Sequence, residues 1–239
     1  MKKLFILFLM TASLSSYGQE TALLRLKYQK NDVYQTVIKQ NVASPQMIMD
    51  MTMTADLKIT DVNAKTFSSE TKFNKIVMDV MQGEMAFSYD SSKSDDELDE
   101  VGMMLKSQMG PILQAVIYSK VDSYGNVIEA KAEPSFQGAE NVGESNVVYP
   151  EKAVKVGDTF SMEKETNGMK FTFVYEVISI TPQLVNLAVK GTVAAGGDIS
   201  GTITVDRATG VSVKSDITTK VGEGSQMITT VVKVTTTKK

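Results

Sequence analysis

The sequence predicts a mainly β protein, an antiparallel meander of about a dozen strands with one amphipathic helix. Apolar and polar residues alternate along most of the chain, which is the period of a strand with one buried face. Short turn signals separate these runs, and short connections join antiparallel strands. One stretch near residue 100 has helical spacing instead. Such a meander forms one curved sheet (a half-barrel) or two packed sheets.

The clearest predicted strand is Gln46 to Thr60. All seven odd positions from Met47 to Ile59 are apolar, and six of the seven positions between them are polar. Thr66 to Val80 predicts a second strand, with a bulge near Asn74-Lys75 where the apolar parity switches. Further strands are predicted over Glu84–Asp90, Phe160–Thr166, Met169–Ile180, Leu184–Val193, Asp198–Asp206, Gly210–Val221 and Gln226–Thr236.

The exception to the β period is a predicted helix over about residues 94–109. Ser94 and Glu97 have the spacing of a capping box, and Gly110-Pro111 should end or kink the helix near Gln108. The run of acids after Ser94 could hold calcium, but a helix N-terminus also favours negative charge, and we predict no metal there. An apolar stripe should cover one face of the sheet: Leu98, Val101, Leu105, Met109 and Ile112.

The first eighteen residues predict a cleaved signal peptide. Lys2 and Lys3 precede an apolar run from Leu4 to Met10, and small residues lead to a cleavage site between Gly18 and Gln19. A chain without cysteine cannot be a lipid-anchored lipoprotein of the usual bacterial kind. We therefore expect an exported, soluble protein of the periplasm or cell exterior, with no transmembrane segment in the mature chain.

Composition narrows the classes of function. The 239 residues include no cysteine and no histidine, which removes thiol nucleophiles, the common zinc ligands and the Ser-His-Asp triad. A net charge of −3 without a basic patch argues against nucleic acid as a partner. We predict a protein that is not an enzyme and has no cofactor.

Two pairs of turns resemble each other along the chain. Asn31–Tyr34 resembles Gly157–Phe160, and Val121–Gly125 resembles Val205–Gly210. Residues 19–239 then form a single all-β region, either of two related halves (19–130 and 147–239) joined by a polar linker (131–146), or of strands that merely share turn chemistry.

The stretch Tyr149–Phe160 and the Val205–Gly210 turn resemble an uncharacterised family of exported β proteins from Bacteroidetes-type bacteria. That resemblance brings no catalytic or binding residues with it. A curved antiparallel sheet with a helix on its concave side is also similar, in architecture, to the half-barrel that carries lipoproteins across the periplasm. The second resemblance implies a lipid-like ligand.

The methionines are the compositional feature that suggests a site. The chain has fifteen, concentrated between Met47 and Met109, and flexible thioethers either fill an irregular core or line an adaptable apolar site. We predict a non-enzymatic envelope protein that binds an apolar or lipid-like ligand between sheet and helix. The alternatives are a structural or adaptor protein that pairs with another envelope protein and, third, an unrecognised hydrolase. The candidate ligand-binding residues are Met47, Met49, Met51, Met53, Met85, Leu98, Val101, Leu105 and Met109.

Overall fold

The computed structural model describes residues 20–136, 147–166, 168–194 and 196–239. The predicted signal peptide and residues 137–146 of the predicted linker lie outside these ranges, whereas Lys131–Glu133 belong to a strand. The described residues form one α-helix and fourteen strands: β1 Thr21–Ala22, β2 Val33–Ala43, β3 Met47–Asn63, β4 Thr66–Gln82, β5 Met85–Asp90, α1 Glu100–Gln114, β6 Val116–Asp122, β7 Val127–Glu133, β8 Val154–Lys155, β9 Thr159–Thr166, β10 Met169–Ile180, β11 Leu184–Val193, β12 Gly197–Asp206, β13 Ser212–Val221 and β14 Ile228–Lys238.

Twelve strands form one antiparallel sheet, which confirms the predicted fold class and selects the single curved sheet over two packed ones. The order is β7-β6-β4-β3-β2-β14-β13-β12-β11-β10-β9, and β5 pairs with the part of β4 beyond β6. The first and last long strands, β2 and β14, pair in the middle of this order. Within the described residues β7 and β9 stand at the two ends of the strand order and do not pair with each other, so the sheet is not closed.

The long central strands follow the predicted alternation. β3 pairs with β4 over its whole length, and the buried Ala55 and Ile59 share the odd face with the methionines. The predicted bulge is confirmed: Thr54 pairs with Lys75 and Ala55 with Phe73, which leaves Asn74 as the extra residue.

The helix differs from the prediction at both ends. Ser94 and Glu97 do form a capping box, but it closes a single 3-10 turn, and the α-helix begins only at Glu100. Its N-cap is Asp99, whose carboxylate accepts a hydrogen bond of 2.7 Å from the Gly102 N–H. The helix also continues past Pro111 to Gln114. Because Pro111 is exposed, the carbonyl that loses its N–H partner there can bind water instead.

α1 packs chiefly against β4 and β5. On that part of the sheet Met78 pairs with Tyr89, and both side chains are buried together with Ile76. The helix thus covers one face of the sheet, as predicted, at one end of the long strands.

Two extended segments lie across the other end of the sheet: the segment from β1 to β2 and the described part of the segment between β7 and β9, which contains β8. Together they form what we call the floor. In the first, Leu26 N–H donates to Ser123 O at 2.9 Å and Lys27 N–H to Thr209 O at 2.8 Å, so one segment joins the β6–β7 and β12–β13 turns. The second segment passes beside it, and the buried Tyr149 hydroxyl donates to Gly210 O at 2.7 Å. The two segments also pair as the small sheet β1–β8.

The turns before β2 and β9 are built alike. In each, the aspartate carboxylate accepts a hydrogen bond from the N–H three residues earlier, at 3.0 Å for Asp32 and 2.9 Å for Asp158. The preceding residue has positive φ, 70° at Asn31 and 88° at Gly157. That residue's N–H also donates to a buried position of the next strand, Asn31 to Ile59 O (2.9 Å) and Gly157 to Val177 O (2.8 Å).

Register shifts recur at matching places in the sheet. β3 shifts against β4 just after Ile59, which pairs with Ser69. β10 shifts against β11 just after Val177, which pairs with Leu187. Two further shifts occur just before Val121 in the β6–β7 pair and just before Val205 in the β12–β13 pair.

Candidate ligand-binding cavity

The curved sheet and its floor enclose a cavity of about 570 Å³. Ten strands contribute inward side chains to its wall: β2, β3, β4, β6 and β9 to β14. Successive residues of a strand point to opposite faces, so each strand supplies every second residue, as Tyr34, Thr36 and Ile38 do from β2. Leu26, Tyr28 and Tyr149 close the floor. The cavity therefore exists only when these ten strands are assembled.

Aromatic rings form part of the lining. Tyr28 packs edge-on against Tyr34 and Phe67, with ring centroids 5.4 and 5.3 Å away. On the opposite side Phe173 stacks with Tyr175 at 6.3 Å. Burial raises the pKa of both Tyr28 and Tyr175 to about 12, so these phenols are neutral at physiological pH.

The polar lining consists mainly of hydroxyl groups. Ser69 and Ser119 share a hydrogen bond of 2.9 Å between their hydroxyls, and Thr36 and Thr236 share one of 3.2 Å. Lys164, on the edge strand β9, is the one charged side chain among the described residues that line the cavity. Apolar surface with a few convergent polar groups is the usual make-up of small-molecule sites.

A buried carboxylate lies beside the floor. Asp32 forms an ion pair of 2.6 Å with Lys238 and accepts hydrogen bonds from Gln29 N–H (3.0 Å) and the Tyr34 hydroxyl (3.3 Å). Burial alone raises the pKa of Asp32, but these hydrogen bonds and the charge of Lys238 outweigh it and hold the pKa below the ordinary 3.8. Asp32 thus joins the start of β2 to the end of β14.

A groove of about 380 Å³ lies where the sheet is open. Residues at the start of β7, including Val127, and residues of the edge strand β9, including Glu163, line it. Met162 and Lys164 line both the groove and the cavity. The cavity therefore borders the outside at the gap between the two edges.

The predicted site residues lie apart from this cavity, and none of the nine is part of its lining. The stripe Met47, Met49, Met51 and Met53 lies half-buried on β3, on the same face as the lining residue Ala55 but further along the strand. Met85 on β5 is 57% exposed. The other four are half-buried in α1 and just before it: Leu98, Val101, Leu105 and Met109. As ligand-binding residues they remain a prediction.

Sequence reasoning missed the hydroxyl lining. The signal was present in β4, where Phe67, Ser69, Thr71 and Phe73 occupy one face, two hydroxyls between two aromatic rings. Hydroxyl groups on the inward face of a strand need hydrogen-bond partners. Whether they find one another depends on which strands are neighbours, and the sequence alone does not show that.

The acidic run near α1 is engaged in local contacts, since Asp95 pairs with Lys106 and Glu97 accepts from Ser94. In the described part of the chain no group of three or more acidic side chains could hold a metal ion. None of its helices is both long enough and apolar enough to cross a membrane.

No protein-family model and no curated protein matches this sequence. Among solved structures, the fold is similar to one described as lipid-protein interactions in lipovitellin, with a TM-score of 0.49 and 8% identity. The match covers 89% of this chain and 25% of that one, so this chain spans about a quarter of its length. The cavity itself is therefore the feature from which a function can be inferred.

Proposed function

We propose that this protein binds an apolar or lipid-like small molecule inside the cavity, without catalysing a reaction, and that it does so in the bacterial envelope. The observation that carries the proposal is the largely apolar, partly open cavity of about 570 Å³. Small-molecule sites occupy roughly 300–1,000 Å³, whereas ordinary protein cores leave few voids larger than a water molecule. An apolar cavity of this size offers a ligand the burial of its hydrocarbon surface.

The proposed site is closed at the floor and accessible at the gap between β7 and β9. Leu24 and Leu26 are buried in the floor, so a ligand cannot pass that end without disrupting the core. At the gap between β7 and β9 the lining residue Met162 also faces the outer groove. A ligand would enter there, and a long one would extend from Ala55 towards Met53 and the rest of the methionine stripe.

A second candidate function is that of an adaptor, and the sheet edges at β7 and β9 favour it. A sheet edge offers a row of backbone N–H and C=O groups to an added strand. The partner would be another envelope protein with an exposed strand.

Filling the cavity tests the main proposal. Val232 of β14 lines the cavity, and Val231, next to it, points to the outer face. We expect Val232→Trp to abolish saturable binding of the neutral dye N-phenyl-1-naphthylamine and Val231→Trp to leave it intact. Fluorescence titration measures binding, and circular dichroism checks that both variants fold.

Native mass spectrometry of protein purified from its own envelope gives an independent result. A lipid or other apolar compound bound one-to-one supports the proposal. A parent protein that neither binds the dye nor carries a ligand, but captures a strand-bearing protein, contradicts it and favours the adaptor.

A further inference from the structure

The recurring turns and register shifts allow the two parts of the sheet to be matched position by position. Ile59 corresponds to Val177, because the carbonyl of each accepts a hydrogen bond from the matching turn and each is followed by a register shift against the next strand. Their partners Ser69 and Leu187 then correspond. The next strand in each part completes the match, since Ser69 pairs with Ser119 and Leu187 pairs with Ile203.

The match divides the cavity lining into a first wall, made of β2, β3, β4 and β6, and a second wall, made of β9 to β12. The two walls have matching strands but different side chains. The first wall lines the cavity with hydroxyls at Thr36, Ser69, Thr71 and Ser119. The second wall has apolar side chains at all four corresponding positions, Met162, Leu187, Val189 and Ile203, of which all but the fully buried Leu187 line the cavity. The fold accepts apolar residues at these places, so the hydroxyls are not a requirement of the fold. Buried hydroxyls also cost stability unless they are paired.

The hydroxyl pair has one donor to spare. Ser69 and Ser119 carry two hydroxyl hydrogens, and the hydrogen bond between them uses one. Among the described residues neither hydroxyl has another hydrogen-bond partner. Ser69 is 7% exposed and faces the cavity, so the second hydrogen can reach an acceptor placed there.

We propose that the ligand is a long-chain acyl compound whose carbonyl oxygen accepts a hydrogen bond from the Ser69–Ser119 pair. Its hydrocarbon chain lies against the second wall, over Val189 and Ile203. This inference rests on the proposed function and deepens it, because it names the class of ligand and its orientation. The first wall thus donates a hydrogen bond to the carbonyl oxygen, and the second wall buries the hydrocarbon chain.

Competition between two chain-matched ligands tests it. Methyl decanoate and undecane should displace N-phenyl-1-naphthylamine from the parent protein, and the ratio of their two affinities is the reference, because removing the ester oxygens from water has a cost that the alkane lacks. In the Ser69→Ala, Ser119→Ala double variant the ester should weaken about tenfold relative to undecane, the effect of one hydrogen bond, with undecane unchanged. Ser179→Ala removes a hydroxyl from the outer face at the position matching Asp61, and should leave the ratio as it is.

A second variant guards against a folding effect. Ser69→Leu with Ser119→Ile copies the second wall into the first, and should keep the thermal midpoint of the parent or raise it while weakening the ester relative to undecane. A double alanine variant that keeps the parent's ratio of ester to undecane affinity overturns the acyl inference and leaves the proposed function standing. A parent that binds neither ligand nor dye overturns both.

Discussion

The two walls of the cavity have the same strand order and share two register shifts, yet their side chains differ in polarity. The wall of β11 and β12 is built from fully buried aliphatic side chains such as Leu187 and Val205. The wall of β4 and β6 places a hydroxyl pair, Ser69 and Ser119, at the same depth. The comparison shows that the fold fixes which residues point inward and leaves their polarity free. Stability can therefore be concentrated in one wall and selectivity in the other.

The largest effect is expected where both walls are tied to the floor. Gly210 has a φ of +70°, and a Cβ there would lie 2.0 Å from the Arg25 carbonyl oxygen. Gly210→Ala must displace the floor segment, so we expect a loss of about 4 kcal/mol or more in unfolding free energy by urea denaturation. Gly83→Ala is the control, since Gly83 has a φ of +61° with nothing within 4 Å, and should cost only about 1 kcal/mol. Equal losses at the two sites would show that backbone strain, not the floor contact, decides the outcome.

The second effect separates the walls directly. Leu187 is fully buried, so Leu187→Ala leaves a void and should lower the unfolding free energy by about 3 kcal/mol. Ser69→Ala at the corresponding position removes only one neutral hydrogen bond and should cost about 1 kcal/mol or less. Chemical denaturation of both variants measures the difference. Similar losses would mean that the two walls share the stabilising role.

The third effect distinguishes the two matching turns by their response to acid. The pKa of Asp32 is lowered in the folded protein, so its contribution is fully present above about pH 4 and is lost as the pH falls below 3.8. Asp32→Asn should cost about 2 kcal/mol at pH 7, and its deficit relative to the parent should shrink as the pH falls below 3.8. Asp158, which is half-buried rather than buried, provides the matched Asp158→Asn control, with a smaller cost at pH 7. Thermal unfolding across pH 2.5–7 records both; a deficit independent of pH contradicts the ion-pair account.

The smallest effect concerns α1, which lies between β5 and β6 in the first part of the chain. Asp99 caps this helix through the Gly102 N–H, so Asp99→Ala should cost about 1 kcal/mol. Ser94 closes only the separate 3-10 turn, and Ser94→Ala should cost less. Thermal denaturation ranks the two variants, and the reverse order would place the true cap at Ser94.

Local patterns predicted the strands well because alternation is decided within each strand. The bulge at Asn74 could be predicted for the same reason, since the parity of Phe73 and Ile76 reports it. The helix bounds could not, because Asp99 and Ser94 are both good caps and because an exposed Pro111 does not stop a helix. Propensity does not tell which of two adjacent caps the tertiary structure uses.

The cavity could not be predicted from the sequence, for a different reason. Its lining comes from ten strands, and the approach of Ser69 to Ser119 depends on a pairing fifty residues apart. Methionine composition drew attention to β3, which does carry the inward face, but composition does not show where a sheet encloses space. Matching turns at Asp32 and Asp158 were visible in the sequence, whereas the register shifts that align the walls are properties of the paired strands.

The pairing of β2 with β14 also sets the order in which this molecule can fold. Tyr34 pairs with Lys238 and Ala43 with Thr229, so one of the first strands to be synthesised waits for the last. Contacts between the two ends of a chain are slow to form, because closing so large a loop costs entropy before any bond repays it. Until β14 arrives, β2 keeps an open edge and the cavity lacks one strand of its wall. A partly made chain therefore cannot hold a ligand, and binding competence should appear only with the last eleven residues of the sheet.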